Sequence, residues 1–109
     1  MTETILTGSG IPFRESRYPH PPPGTYAVYF DDQTTDGPDP VGGGLPQIVH
    51  HGVMVELYEP TLDKDAEARL EAQLNANGIQ WTKQAAYWLQ NVQRYQVIYE
   101  FEYTEKRRT

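Results

Sequence analysis

The last quarter of the chain alternates so regularly that a β-strand is the form that accommodates it. Tyr95, Val97, Tyr99, Phe101 and Tyr103 occupy every second position, with Gln96, Glu100, Glu102 and Thr104 between them and Ile98 as the one apolar interruption. Successive side chains of a strand point to opposite faces, so residues 94–104 turn an aromatic and β-branched face to a core and a polar face to water. A strand of this kind requires partners, and three other segments supply them. Around residues 47–58, Val53, Val55 and Leu57 alternate with Met54, Glu56 and Tyr58, and Pro60 closes the run. Around residues 25–31, Tyr26, Val28 and Phe30 point one way, and Ala27 and Tyr29 the other. Residues 80–89, with Trp81, Tyr87 and Trp88, read as one further strand, joined to the last by a turn at residues 91–93.

One helix stands out. Asp63 or Asp65 can accept the free amides of a first turn. Ala66, Leu70 and Leu74 follow at the four-residue spacing of a buried stripe, with Glu67, Arg69, Glu71 and Gln73 on the wet side. Asn77-Gly78-Ile79 is a stop: Gly78 can take the left-handed conformation, and Ile79 can fold back on Leu74. Residues 1–24 read as an irregular segment rich in Gly and Pro. Residues 4–7 suffice for a single helical turn, halted by Gly8 and Gly10. Residues 11–14 are extended, and Pro19 and Pro21-Pro22-Pro23 form a stiff spacer. Residues 32–46, with Gly42, Gly43 and Gly44, read as a long flexible loop. The expectation is one α+β domain over residues 1–109: an antiparallel or mixed sheet of about four strands with one main helix packed on one face.

The net charge of −6 disfavours sequence-independent binding to phosphate backbones. The absence of cysteine removes disulfides, thiolate metal sites and thiol nucleophiles together. The first residues lack a basic region followed by an apolar run, so no signal peptide is expected, and no stretch approaches the ~18 apolar residues of a membrane span.

Candidate chemistry is sparse. His50 and His51 are strand neighbours and point to opposite faces, so together they cannot chelate one ion; no metal and no cofactor are expected. Glu100 and Glu102 share a face about 7 Å apart, a spacing compatible with a carboxylate-pair hydrolase acting on cell wall. A solvated sheet face is the stronger reading, since a one-sided sheet requires such alternation, and no enzymatic activity is expected. Ser9 and Ser16 are the only serines and both lie in the irregular N-terminal part, and the glycines at 8, 10 and 42–44 lack the strand, helix and Lys-Ser/Thr of a phosphate loop. Lys106-Arg107-Arg108 reads as a solubilising tail. The chain has eight Tyr and two Trp, more than one small core requires, and such residues are enriched where subunits meet. Tyr29, Tyr58, Tyr87 and Trp88 are the candidates for such contacts.

Several of these segments, taken in order, carry a resemblance. The run Val53-Met54-Val55-Glu56-Leu57-Tyr58, the helix over residues 63–74, Asn75-Ala76-Asn77-Gly78-Ile79-Gln80-Trp81-Thr82-Lys83, and Tyr95-Gln96-Val97-Ile98-Tyr99-Glu100-Phe101 resemble small neck and tail-completion proteins of long-tailed phages and prophages of Gram-positive bacteria. The opening, Gly10-Ile11-Pro12, a Pro-rich segment and then Tyr26-Ala27-Val28-Tyr29-Phe30-Asp31, resembles them too, although similar proteins often begin with a fuller helix. The resemblance spans roughly residues 10–103. It implies a structural protein of the virion neck: a tail terminator or tail-to-head joining protein, in a ring commonly of six copies. Its implied partners are copies of itself, the major tail tube protein and a head-completion or connector protein, with DNA only as passing cargo and no membrane. A head-side connector or stopper is the alternative within the same class. In this picture the loop after the first strand orders on docking to a partner, and Asp31, Asp32, Asp36 and Asp39 line the lumen.

Overall fold

The computed structural model describes residues 1–36 and 46–108. Six strands, β1 (Phe13–Glu15), β2 (Tyr26–Thr35), β3 (Pro46–Glu59), β4 (Trp81–Lys83), β5 (Tyr87–Leu89) and β6 (Arg94–Arg108), form one mixed sheet. Two helices, α1 (Thr2–Ser9) and α2 (Lys64–Ala76), accompany it. The spatial order is β1-β2-β3-β6-β4, with β5 also on β6. All pairings are antiparallel except β1 with β2. The α+β class is as expected; the sheet is larger than the four strands anticipated, and a second helix is present.

That second helix is the main departure. Residues 1–24 are not irregular throughout: α1 passes through Gly8 and ends at Gly10, whose φ of 73° is the left-handed cap. Gly8 lies inside the helix, facing the end of the Gln73 side chain of α2. A Cβ there would overlap the Gln73 side-chain amide. The helix-breaking residue is thus a contact point between helices, a role that propensity alone does not reveal.

The core is the sheet face toward the helices. Ala27 and Tyr29 from β2, Val53, Val55 and Leu57 from β3, and Val97, Tyr99 and Phe101 from β6 meet Ile5, Leu6, Leu70 and Leu74. Asp63 caps α2, accepting the Ala66 amide at 3.0 Å, and is itself held by the Thr25 hydroxyl at 2.7 Å. At the other end, the Ile79 amide bonds Leu74 O and the Gly78 amide bonds Asn75 O, both at 3.0 Å. These bonds satisfy the last carbonyls as the Asn-Gly-Ile stop implies.

Residues 80–89 are two short strands rather than one. The pairs Lys83 with Tyr99 and Tyr87 with Gln96 place three residues on one side opposite two on the other. This one-residue bulge reverses the facing of everything beyond it. Trp81 therefore packs on the core, while Tyr87 is 65% exposed. The basic end is not a free tail, since the backbone of β6 continues to Arg108 opposite Pro46. Likewise β2 reaches Thr35, so the connection is shorter than expected.

Candidate functional site

Past the ends of β1 and β4, the central three strands continue as an arm. β1 pairs with β2 only as far as Tyr29, and β4 covers β6 only as far as Phe101. Beyond them β2, β3 and β6 proceed together to the level where Pro46 meets Arg108. The molecule is consequently elongated, 53 × 28 × 21 Å with a radius of gyration of 16.1 Å, against roughly 13 Å for a compact chain of this length.

A histidine organises the helix-side face of the arm. His51 is 5% exposed and lies between two carboxylates. Its Nδ1 is 2.9 Å from Asp31 Oδ1, its Nε2 is 2.7 Å from Glu105 Oε1, and Tyr103 stacks on the ring. Tyr103 continues the network to α1 through the Thr2 hydroxyl at 3.1 Å. His50 points to the opposite face, where its Nε2 is 3.1 Å from Asp36 Oδ1. Among the described residues no group of three His, Cys, Asp or Glu side chains is placed to hold a metal ion, and no helix is long and apolar enough to cross a membrane.

The helix-free sheet face carries Glu56, Glu100 and Glu102, as alternation predicted, together with Asp32, which was expected in a loop. Asp32, Glu56, Glu100 and Glu102 line an open groove of about 950 Å³ with Phe30 and Trp81. Glu100 accepts a hydrogen bond from the Gln84 amide at 3.0 Å. Phe30 is 37% exposed on this face.

A second carboxylate group lies under α2, where the sequence suggested a wet surface. Glu67 is buried rather than solvated, as is Glu59. Glu59 Oε1 accepts the Asp63 amide at 2.7 Å. Lys83 Nζ stands 2.6 Å from Glu67 Oε1 and 3.2 Å from Glu71 Oε2. Burial pushes the Glu59 carboxyl up to about 7; the Asp63 amide opposes the rise and the adjacent Glu67 adds to it. Glu59 therefore keeps its proton to a higher pH than a solvated carboxyl does. For Lys83, burial works against the charged form, but the bonds to Glu67 and Glu71 outweigh it and the ammonium is held above its ordinary range. The Tyr99 hydroxyl donates to Glu71 at 2.5 Å. Burial, chiefly, raises it far beyond the ordinary phenol range.

The candidate contact residues separate. Tyr29 is a core residue at 4% exposure whose hydroxyl donates to Glu3 at 2.8 Å. Tyr58 is half-buried, stacked on Tyr26, and its hydroxyl is raised to about 12, by burial first and then by the bond it donates to Glu56. Tyr87 and Trp88 are exposed. Of the candidate loop, Asp31 is tied to His51, Asp32 is exposed on the groove, and Asp36 directly follows β2. Asp39, Gly42, Gly43 and Gly44 lie outside the described residues. Sequence reading missed the roles of His51 and Glu59, although both share the inward parity of Val53, Val55 and Leu57. No family model matches the chain, and no curated protein does.

Proposed function

We propose that the chain is a structural subunit of a phage neck, a tail terminator or tail-to-head joining protein that works as a ring of identical copies and has no catalytic role. The observation that supports assembly most directly is the arm. Three strands extend past their neighbours, and their helix-side positions there carry the polar Asp31, His51 and Glu105 beside Tyr103 and the buried Val49, so the arm adds less apolar core to its own subunit than the body does. The order of segments that resembles neck proteins supplies the setting. In this reading the helix-free face with Asp32, Glu56, Glu100 and Glu102 turns to the channel, where negative charge lets DNA pass without adhering. The tail tube protein and a head-completion protein are the neighbours along the axis.

Deletion of the gene from its phage or prophage, followed by induction and negative-stain electron microscopy, tests this reading. Overlong or unjoined tails beside filled heads are expected. Normal tails beside heads that have lost their DNA would transfer the protein to the head side as a connector or stopper. Intact infectious particles would end the structural reading.

A further inference from the structure

The arm has two edges, and they are chemically unlike. On β2 the outward-pointing backbone belongs to the odd residues: the Ala27 amide bonds Pro12 O at 2.8 Å and Tyr29 O accepts the Ser16 amide at 2.9 Å. Asp31, Gln33 and Thr35 thus direct their amides and carbonyls away from β3, and among the described residues no strand pairs with them on that side. On β6 the outward backbone belongs to the even residues, since Ile98 O accepts the Gln84 amide at 2.9 Å. Among the described residues no strand pairs with Glu102, Thr104 and Lys106 on that side, beyond β4. The two edges have the same extent. Asp32 and Glu102 are level across Gly52, and Thr34 and Thr104 across His50. Asp36, whose amide bonds Ile48 O at 3.2 Å, is level with Lys106, the partner of Ile48.

We infer that the occupant of each edge is the other edge of a second copy of this chain: β6 of one subunit adds in parallel to β2 of the next through residues 102–106 and 31–35. This inference rests on the ring reading above and specifies its contact. β2 and β6 run in the same direction along the arm, each being antiparallel to β3. Rotation about an axis along the arm preserves that direction, so the joint between copies is a parallel ladder. Charge discriminates between the pairings at the far end of the arm. The β2 edge carries Asp31, Asp32 and Asp36 and no cation, while the β6 edge carries Lys106 with Glu102 and Glu105. Two β2 edges set carboxylates only against carboxylates, whereas a β2 edge beside a β6 edge brings Asp36 beside Lys106 and has one like-charged pair, Asp32 with Glu102. A contact between unlike edges is heterologous and propagates head to tail, and it closes into a ring when the rotation permits. Exposed pairing groups otherwise invite indiscriminate association, and charges on an edge direct it.

Proline at an outward position removes a donor from one edge while leaving the ladder to β3 intact. Gln33→Pro and Thr104→Pro each block one edge. The wild-type chain is expected to sediment as a concentration-dependent oligomer, and both variants as monomers at the same concentrations with unchanged circular dichroism. A second measurement does not depend on how the prolines fold. The chain has no cysteine, so Thr34→Cys with Thr104→Cys supplies its only thiols, and mild oxidation should give a ladder of multimers that neither single variant gives. An oligomer that persists in both proline variants, or a double-cysteine oligomer that does not cross-link, overturns the edge pairing while leaving the ring reading intact. A wild-type chain that stays monomeric to its solubility limit also overturns it, and leaves the neck reading to the deletion experiment.

Discussion

The body and the arm share three strands but are held together by different forces. In the body, the helix side of β2, β3 and β6 is almost entirely apolar, and Leu6, Leu70 and Leu74 cover it without measurable exposure. In the arm the same strands, with the same parity, present Asp31, His51, Tyr103 and Glu105, with Val49 as the one fully buried aliphatic residue among them. The body is stabilised by removing apolar surface from water. The arm is stabilised by ladder hydrogen bonds and a histidine between two carboxylates, interactions whose net worth is smaller because water competes for them. A sheet that changes its chemistry halfway along its strands has one half built to fold and another whose sequence answers to something besides folding.

The sharpest test of this contrast is in the body. Leu70 is fully buried between α2 and the sheet. Leu70→Ala removes contacts and leaves a cavity, and is expected to cost about 2–5 kcal/mol in urea unfolding. Truncation at exposed Lys106 in the arm should change stability by less than about 0.5 kcal/mol. Similar losses at the two positions would erase the distinction.

The buried carboxyl of Glu59 gives the body a pH dependence as well. Its pKa is raised from 4.5 to about 7 on folding, so between those values the folded chain binds more protons than the unfolded one. Stability therefore falls as pH rises through this window, by up to roughly 3 kcal/mol, and levels off above it. Glu59→Gln replaces the protonated carboxyl with a neutral shape and should flatten that part of the profile. Thermal unfolding between pH 4.5 and 8 measures it; an unchanged slope in the variant would assign the dependence elsewhere.

These two positions also mark how far the sequence was legible. Alternation placed Val53, Val55 and Leu57 correctly because hydrophobic burial dominates there. The same parity carries through His51 and Glu59, but residue type argued against burial, and only tertiary partners explain it: Asp31 and Glu105 for one, Asp63 and Glu67 for the other. The Ala66, Leu70 and Leu74 stripe was visible, whereas Glu67 on its flank depended on Lys83, far along the chain and brought near by β4. α1 was hidden by Gly8, whose value lies in its approach to Gln73. The bulge between β4 and β5 had no local signature, because Gln84, Ala85 and Ala86 are residues that a continuous strand also tolerates. The edges of the arm were legible as strings of charge, but their equal level became apparent only from the register.

Within the arm, His51→Gln leaves Asp31 and Glu105 without the ring between them. A loss of about 1–3 kcal/mol is expected from the charged hydrogen bonds, and its distribution matters more than its size. Hydrogen exchange should accelerate at residues 31–35 and 102–106 while Val55, Leu57 and Val97 keep their protection, because local opening of the arm need not open the core. Uniform acceleration would mean that arm and body unfold as one unit.

The smallest effect separates the two regions from the opposite side. Asp63 caps α2 through the Ala66 amide, and its carboxyl is held below the usual range, first by the Thr25 hydroxyl and then by that amide. Asp63→Ala should cost about 1 kcal/mol, the usual worth of a cap. Its folded pKa being depressed, the ionised cap's advantage is present above the ordinary Asp range and is lost as pH falls from there through the lowered folded value. The difference between the two proteins in unfolding should therefore be smaller at pH 3 than at pH 7. Exchange at residues 31–35 should be the same in both at pH 7, since the cap supports the helix that covers the body and has no contact with the arm. Faster exchange in the arm of Asp63→Ala would show that α2 supports the whole length of the sheet and that the chemical boundary along the strands is not a mechanical one.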